Sequence, residues 1–198
     1  MTRIERRTVD ELDEEASRKF KETPLLAIDA EMLDEFFNSV DGFTKGICNA
    51  GEIGPSPYLF MFKKQSDEMG IGITTELNRN SAIAWGMIDD NDEYTGIPDG
   101  YLLARKIMDD YKPQAIAIVS ALTFDKHNHT GGVSIHGISF DKSWDRKTCY
   151  TAKLKMDENN CIQKWVLTES HDNMVPDLDT AIGESIFHTC ENCGGDGC

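Results

Sequence analysis

The chain has 198 residues, 39% of them hydrophobic and 28% charged, and its 35 acidic against 20 basic residues give a net charge of −15. That length suits one ordinary domain, which buries roughly 70% of its unfolded surface. So negative a field repels phosphate backbones, which argues against direct nucleic-acid binding and for a basic protein partner. The start is charged from Arg3 onward, with no apolar core of a signal peptide. No run approaches the ~20 apolar residues of a membrane span, so a cytoplasmic protein without membrane association is expected. In that compartment Cys48, Cys149, Cys161, Cys190, Cys193 and Cys198 read as free, core or metal-binding thiols rather than as a disulfide framework.

The first predicted element is a helix. Thr8 and Glu11 fit a capping box, and Val9, Leu12, Ala16 and Phe20 fall on one stripe, with Pro24 ending it. A second helix is expected from about Ala30 to Val40, where Leu33, Phe36, Phe37 and Val40 share a face and Gly42 closes it. After a Gly/Pro-rich connection the period changes. Tyr58 to Phe62 is an apolar run, Met69 to Leu77 alternates, and Ile83, Trp85 and Met87 repeat the alternation after Asn78-Arg79-Asn80, which predicts a three-stranded meander.

An acidic loop follows, and the stretch 65–99 sets Asp67, Glu68, Glu76, Asp89, Asp90, Asp92, Glu93 and Asp99 against Arg79. Pro98 suits the first turn of a helix that stops before Pro113. Ala115 to Phe124 is apolar on both faces, as in a strand covered on both sides. Further strands are expected over about Val133–Phe140, Thr148–Met156 and Cys161–Thr168. In the last, either Ile162 and Val166 or Cys161 and Trp165 face inward. The order α-α-β-β-β-α-β-β-β-β predicts an α+β fold. It is expected as a single, mainly antiparallel sheet of six to seven strands, with two N-terminal helices and one central helix packed on it. Residues 1–168 are read as that domain and 169–198 as an acidic, Cys-rich tail with no Lys or Arg.

The tail ends in CENCGGDGC. The two-residue gap between Cys190 and Cys193 lets two thiolates grip one ion, and the glycines let the chain fold back. Residues 190–197 resemble one repeat of the CxxCxGxG motif in the cysteine-rich region of J-domain chaperones, where two repeats combine to hold each zinc. This chain has one repeat, and Cys198 and His188 are the candidates to complete the set. His188, Cys190, Cys193 and Cys198 are therefore the predicted zinc ligands, in a closed structural site that also offers a route to a homodimer. A terminal tail whose thiols do nothing in the fold is the competing reading.

The second cluster is DKHNHTGGVSIHGISFD. His127 and His129, two residues apart, project to one side of an extended stretch, with Asp125, His136 and Asp141 near in sequence. The pattern resembles the His-x-His and Ser-x-x-Asp of JAB/MPN-type zinc isopeptidases. It departs from them in the single residue between Ser139 and Asp141 and in the strand, rather than helix, that follows the histidines. That resemblance implies a metal-dependent hydrolase using His127, His129 and Asp141, whose ion would lower the pKa of a bound water. A solvated polar loop is the alternative. Cys149 with His136 or His171 would form a nucleophile–base pair only if the fold joined them.

No GxGxxG, Walker A or G-x-S-x-G motif is present. With no complete catalytic set and the negative charge concentrated in two segments, the leading expectation is a small acidic adaptor. Proteins of that type are common in bacteriophage and bacterial genomes. The alternatives are the hydrolase above and an acidic mimic of nucleic acid that blocks a DNA- or RNA-handling protein.

Overall fold

A computed structural model of the chain describes residues 3–8, 14–51, 57–86, 100–125, 127–159 and 162–171. The elements in chain order are β1 (Arg3–Thr8), α1 (Glu14–Glu22), α2 (Ala30–Ala50), β2 (Tyr58–Ser66), β3 (Met69–Glu76) and α3 (Arg79–Ala84). They continue with α4 (Gly100–Tyr111), β4 (Ala115–Asp125), β5 (Thr130–Ser139), β6 (Asp145–Met156) and β7 (Ile162–His171). One sheet carries the strands in the order β1-β3-β2-β4-β5-β6-β7. Every pairing is antiparallel except β1 with β3. The α+β class and the single, mainly antiparallel sheet are as the sequence predicts, and no described helix is long and apolar enough to cross a membrane.

Helix α2 fills the inner face of the sheet. Asp29 caps it, accepting the Met32 amide at 2.9 Å, and Gly51 ends it in the left-handed region at φ 79°. It runs eight residues past Gly42, where the sequence predicts its end. Its buried stripe continues through Thr44, Ile47 and Cys48, and that burial outweighs the roughly 1 kcal/mol that a glycine costs inside a helix. Beneath it lie Phe60 and Phe62 of β2, Val133 and Ile135 of β5, Ala152 and Leu154 of β6, and Trp165 of β7. Phe36 stacks on Phe62 with ring centroids 4.9 Å apart.

Helices α1, α3 and α4 cover part of the outer face. Phe20, Leu103, Ile107 and Tyr111 pack there on Leu59 and Met61 of β2, Ile71 and Ile73 of β3, and Ile116 and Ile118 of β4. Lys63 is buried in this layer, with its ammonium 3.0 Å from the Phe20 carbonyl. Burial, together with the charge of Lys112, lowers its pKa.

Three sequence expectations are corrected. Thr8 ends strand β1 rather than capping a helix, and the strand's charged sequence, RIERRT, suits the sheet edge it occupies. Ile83 belongs to helix α3, not to a third strand of a meander. The Asn78 side chain accepts the Ser81 amide at 3.0 Å, which turns the chain into a helical turn and buries Leu77 and Ala82. In β7 both proposed registers are half right. A register shift between Lys155 and Met156 lets Ile162 and Trp165 both face α2, opposite Met156 and Leu154.

Candidate functional site

The two histidines of the predicted hydrolase site lie in the turn between β4 and β5, at residues 127–129, and both are exposed. His129 adopts a left-handed conformation (φ 54°), and its carbonyl accepts the Leu154 amide at 2.8 Å. It works as a turn residue that leads the chain into β5. Asp125 is paired with Thr130 across the mouth of this hairpin.

Asp141 lies just beyond the opposite end of β5. Ten residues of strand separate it from His129, a rise of about 30 Å, so the fold does not bring the three together around one ion. Its carboxylate closes the β5–β6 turn instead. Oδ1 accepts from Ser139 Oγ at 2.6 Å, from the Ser143 amide at 3.0 Å and from Ser143 Oγ at 2.7 Å. These bonds, the Ser139 hydroxyl's foremost, hold its pKa down to about 2.

The middle of β5 and β6 carries a short line of polar groups on the outer face. His136 is buried, and its Nε2 lies 2.9 Å from Asp145 Oδ1. Asp145 Oδ2 is 3.7 Å from Lys147 Nζ, and Lys147 is the register partner of His136. One rung further along, Cys149 stands between Ser134 of β5 and His171 of β7. The fold thus places the sequence-predicted thiol on rungs adjacent to, or shared with, both of its candidate bases. The chemistry does not follow. Cys149 is buried and burial pushes its pKa up, whereas the thiolate is the reactive form. Cys48 of α2 is pushed up to about 11 for the same reason. Among the described residues, no three His, Cys, Asp or Glu side chains are grouped so as to hold a metal ion.

Further along the same face is a feature that the sequence reading missed. Ala152, Leu154 and Met156 point at α2, so Lys153 and Lys155, between them, point outward. In β7, Trp165 and Leu167 point inward and Lys164 outward, directly opposite Lys155. The signal was available in the alternation K-L-K-M beside K-W, but an overall charge of −15 hides a local positive surface. Lys153 and Lys155 are exposed and Lys164 is half-buried.

The other missed polar cluster ties α2 to the sheet. Asp34 accepts from Trp144 Nε1 at 2.7 Å and from Arg146 Nε at 3.1 Å. The Trp144 bond, followed by the Arg146 bond and charge, lowers the pKa of its carboxyl. The predicted zinc ligands His188, Cys190, Cys193 and Cys198 lie outside the described residues. Comparison of the chain with models of known families, with curated proteins and with solved structures found no match.

Proposed function

We propose that the chain is a binding protein without chemistry of its own, which uses its negative charge to engage a basic protein partner. The observation that supports this most is that the groups best suited to catalysis already serve the fold. Asp141 closes a turn, His136 is held by Asp145, and the thiols of Cys48 and Cys149 are buried with raised pKa values. The strand between His129 and Asp141 favours this reading over a hydrolase in which the two share an ion. What remains is charge, at −15. His188, Cys190, Cys193 and Cys198 form the proposed zinc site, three thiolates and an imidazole whose spacing suits a closed tetrahedral centre. That centre would give the tail a folded docking or dimerising element.

Two measurements test the reading. Immobilised full-length protein, exposed to native lysate with zinc present, is expected to retain a basic protein at low salt and release it at about 0.5 M salt, where charges are screened within about 4 Å. Recovery of no salt-released partner sinks the proposal, and a DNA- or RNA-handling partner would make the binding a form of nucleic-acid mimicry. Elemental analysis is expected to find zinc on the whole chain and to lose it when residues 188–198 are removed. Zinc retained after that truncation would redirect attention to the histidine turn.

A further inference from the structure

The three outer helices meet at a group of aromatic rings. Trp85 follows α3, Tyr111 ends α4, and Phe20 and Lys21 stand in the last turn of α1. Tyr111 is the hub, with Trp85 set edge-to-face to it at 5.5 Å and 65° and Phe20 at 5.8 Å and 63°. Hydrogen bonds hold these walls in place. The Tyr111 hydroxyl bonds to Ser17 Oγ, the Trp85 amide donates to the Ser81 carbonyl at 3.0 Å, and the Trp85 carbonyl accepts from Lys106 Nζ. The Lys21 ammonium sits at the corner of the two larger rings, 4.6 Å from the Tyr111 centroid and 6.0 Å from that of Trp85. Ring faces at such distances attract a cation.

Two lysines lie over this cluster, and they differ in what else holds them. Lys63 Nζ is 5.0 Å from the Phe20 centroid, but it is also buried and donates to the Phe20 carbonyl at 3.0 Å, so it belongs to the packed layer. Lys21 is exposed, at the end of a long side chain. A contact of a cation with a ring at an exposed site favours the closed arrangement only about two- to fivefold, so this corner opens readily. It then offers two fixed aromatic faces to one ammonium group. A primary ammonium is strongly hydrated. A quaternary ammonium has no N–H to keep in water, and its methyl groups seat directly on the rings. The net charge of −15 further concentrates cations at the surface.

We propose that the corner between Trp85 and Tyr111 is a binding site for a quaternary ammonium group, which Lys21 occupies in the free protein and leaves when that group binds. Two sources share this chemistry, a small free quaternary ammonium and a trimethylated lysine side chain on a protein. The second source rests on the basic protein partner proposed above; the site itself does not.

The test is a titration of the isotope-labelled full-length protein with tetramethylammonium chloride, following the indole N–H signals of its three tryptophans by NMR. Trp144 and Trp165 are each 4% exposed, whereas Trp85 is half-buried. A saturable shift of the Trp85 signal alone is therefore expected, absent with sodium chloride at equal concentration. A Trp85→Phe variant identifies that signal by its loss. Removing the internal competitor in Lys21→Ala is expected to lower the apparent Kd about three- to sixfold. Lys19→Gln deletes the same charge from the same helix, and in about 0.15 M salt it is expected to leave the Kd within about twofold. A peptide carrying one trimethyl-lysine, set against the free ion, separates the sources. Tighter binding of the peptide points to a modified side chain, and tighter binding of the ion to a small ammonium compound. No shift beyond that seen with sodium, equal movement of all three indole signals, or equal affinity in parent and Lys21→Ala would overturn the proposal. None of those results touches capture of a basic partner from lysate, so the two readings fail separately.

Discussion

The outer face of the sheet is two surfaces that meet near β5. Over β3, β2 and β4 it is apolar, and α1, α3 and α4 cover it. Over β6 and β7 it bears Lys153, Lys155 and Lys164 with Val166 opposite Lys153, whereas Ala152, Leu154, Met156, Ile162, Trp165 and Leu167 point the other way, toward α2. The strands obey the same two-residue alternation in both halves. What differs is whether a helix with an apolar stripe lies on the second face, and among the described residues one does so only beside β2, β3 and β4. A strand is therefore apolar on both faces where two layers meet it, as in β4, and on one face where a single layer does.

Substitutions at matched positions give the sharpest contrast. Leu59 of β2 is fully buried under the outer helices, and Leu59→Ala is expected to cost about 2–5 kcal/mol, read as a lower urea midpoint. A loss below 1 kcal/mol would mean that the helices do not hold this half as described.

A smaller effect is expected at the β5–β6 turn, where the two halves join. The fold holds the Asp141 carboxyl at about 2, against an ordinary value of 3.8, so it favours the ionised form. That contribution is complete above the ordinary value and is lost as pH falls through about 2. Thermal melts between pH 5 and pH 2 are expected to show the parent losing its advantage over Asp141→Asn across that window. A gap that does not change with pH would mean that the Ser139 and Ser143 bonds do not act on the ionised form.

The smallest effect belongs to the lysine half. Lys153→Ala is expected to move stability by less than about 0.5 kcal/mol in urea at 0.5 M salt, where charge interactions are screened. A large loss there would show that this surface is part of the core and erase the contrast.

Much of this architecture was legible in the sequence, because hydrophobic period reports burial. The two-faced apolar run of β4, the aromatic stripe of α2 and the alternation of β6 each dictated an element and its side. The failures share a cause. Thr8 and Glu11 form a sound local capping signal, but β1 is held by its pairing with β3, some sixty residues on. Ile83, Trp85 and Met87 alternate like a strand, yet the cap at Asn78 decides the conformation. The candidate site was less legible. Proximity in sequence suggested that His127, His129 and Asp141 act together, but a strand between two residues is the surest way to keep them apart. The lysines escaped notice because they matter only in cross-strand register, and the β6–β7 register was itself unresolved.

One contact described above bears on how the molecule comes to be made. Asp34, near the start of α2, binds Trp144 and Arg146, 110 and 112 residues later, and Trp165 of the last strand completes the layer beneath the same helix. During synthesis α2 therefore leaves the ribosome long before its counterpart exists. Phe36 and Phe43 meet Phe62 and Phe60 of β2 soon afterwards, but Asp34 and Phe37 wait for Trp144 and Arg146. Closure of so long a loop adds an entropic cost before its contacts form, so completion of this half should be late, slow and sensitive to any stop codon before β7.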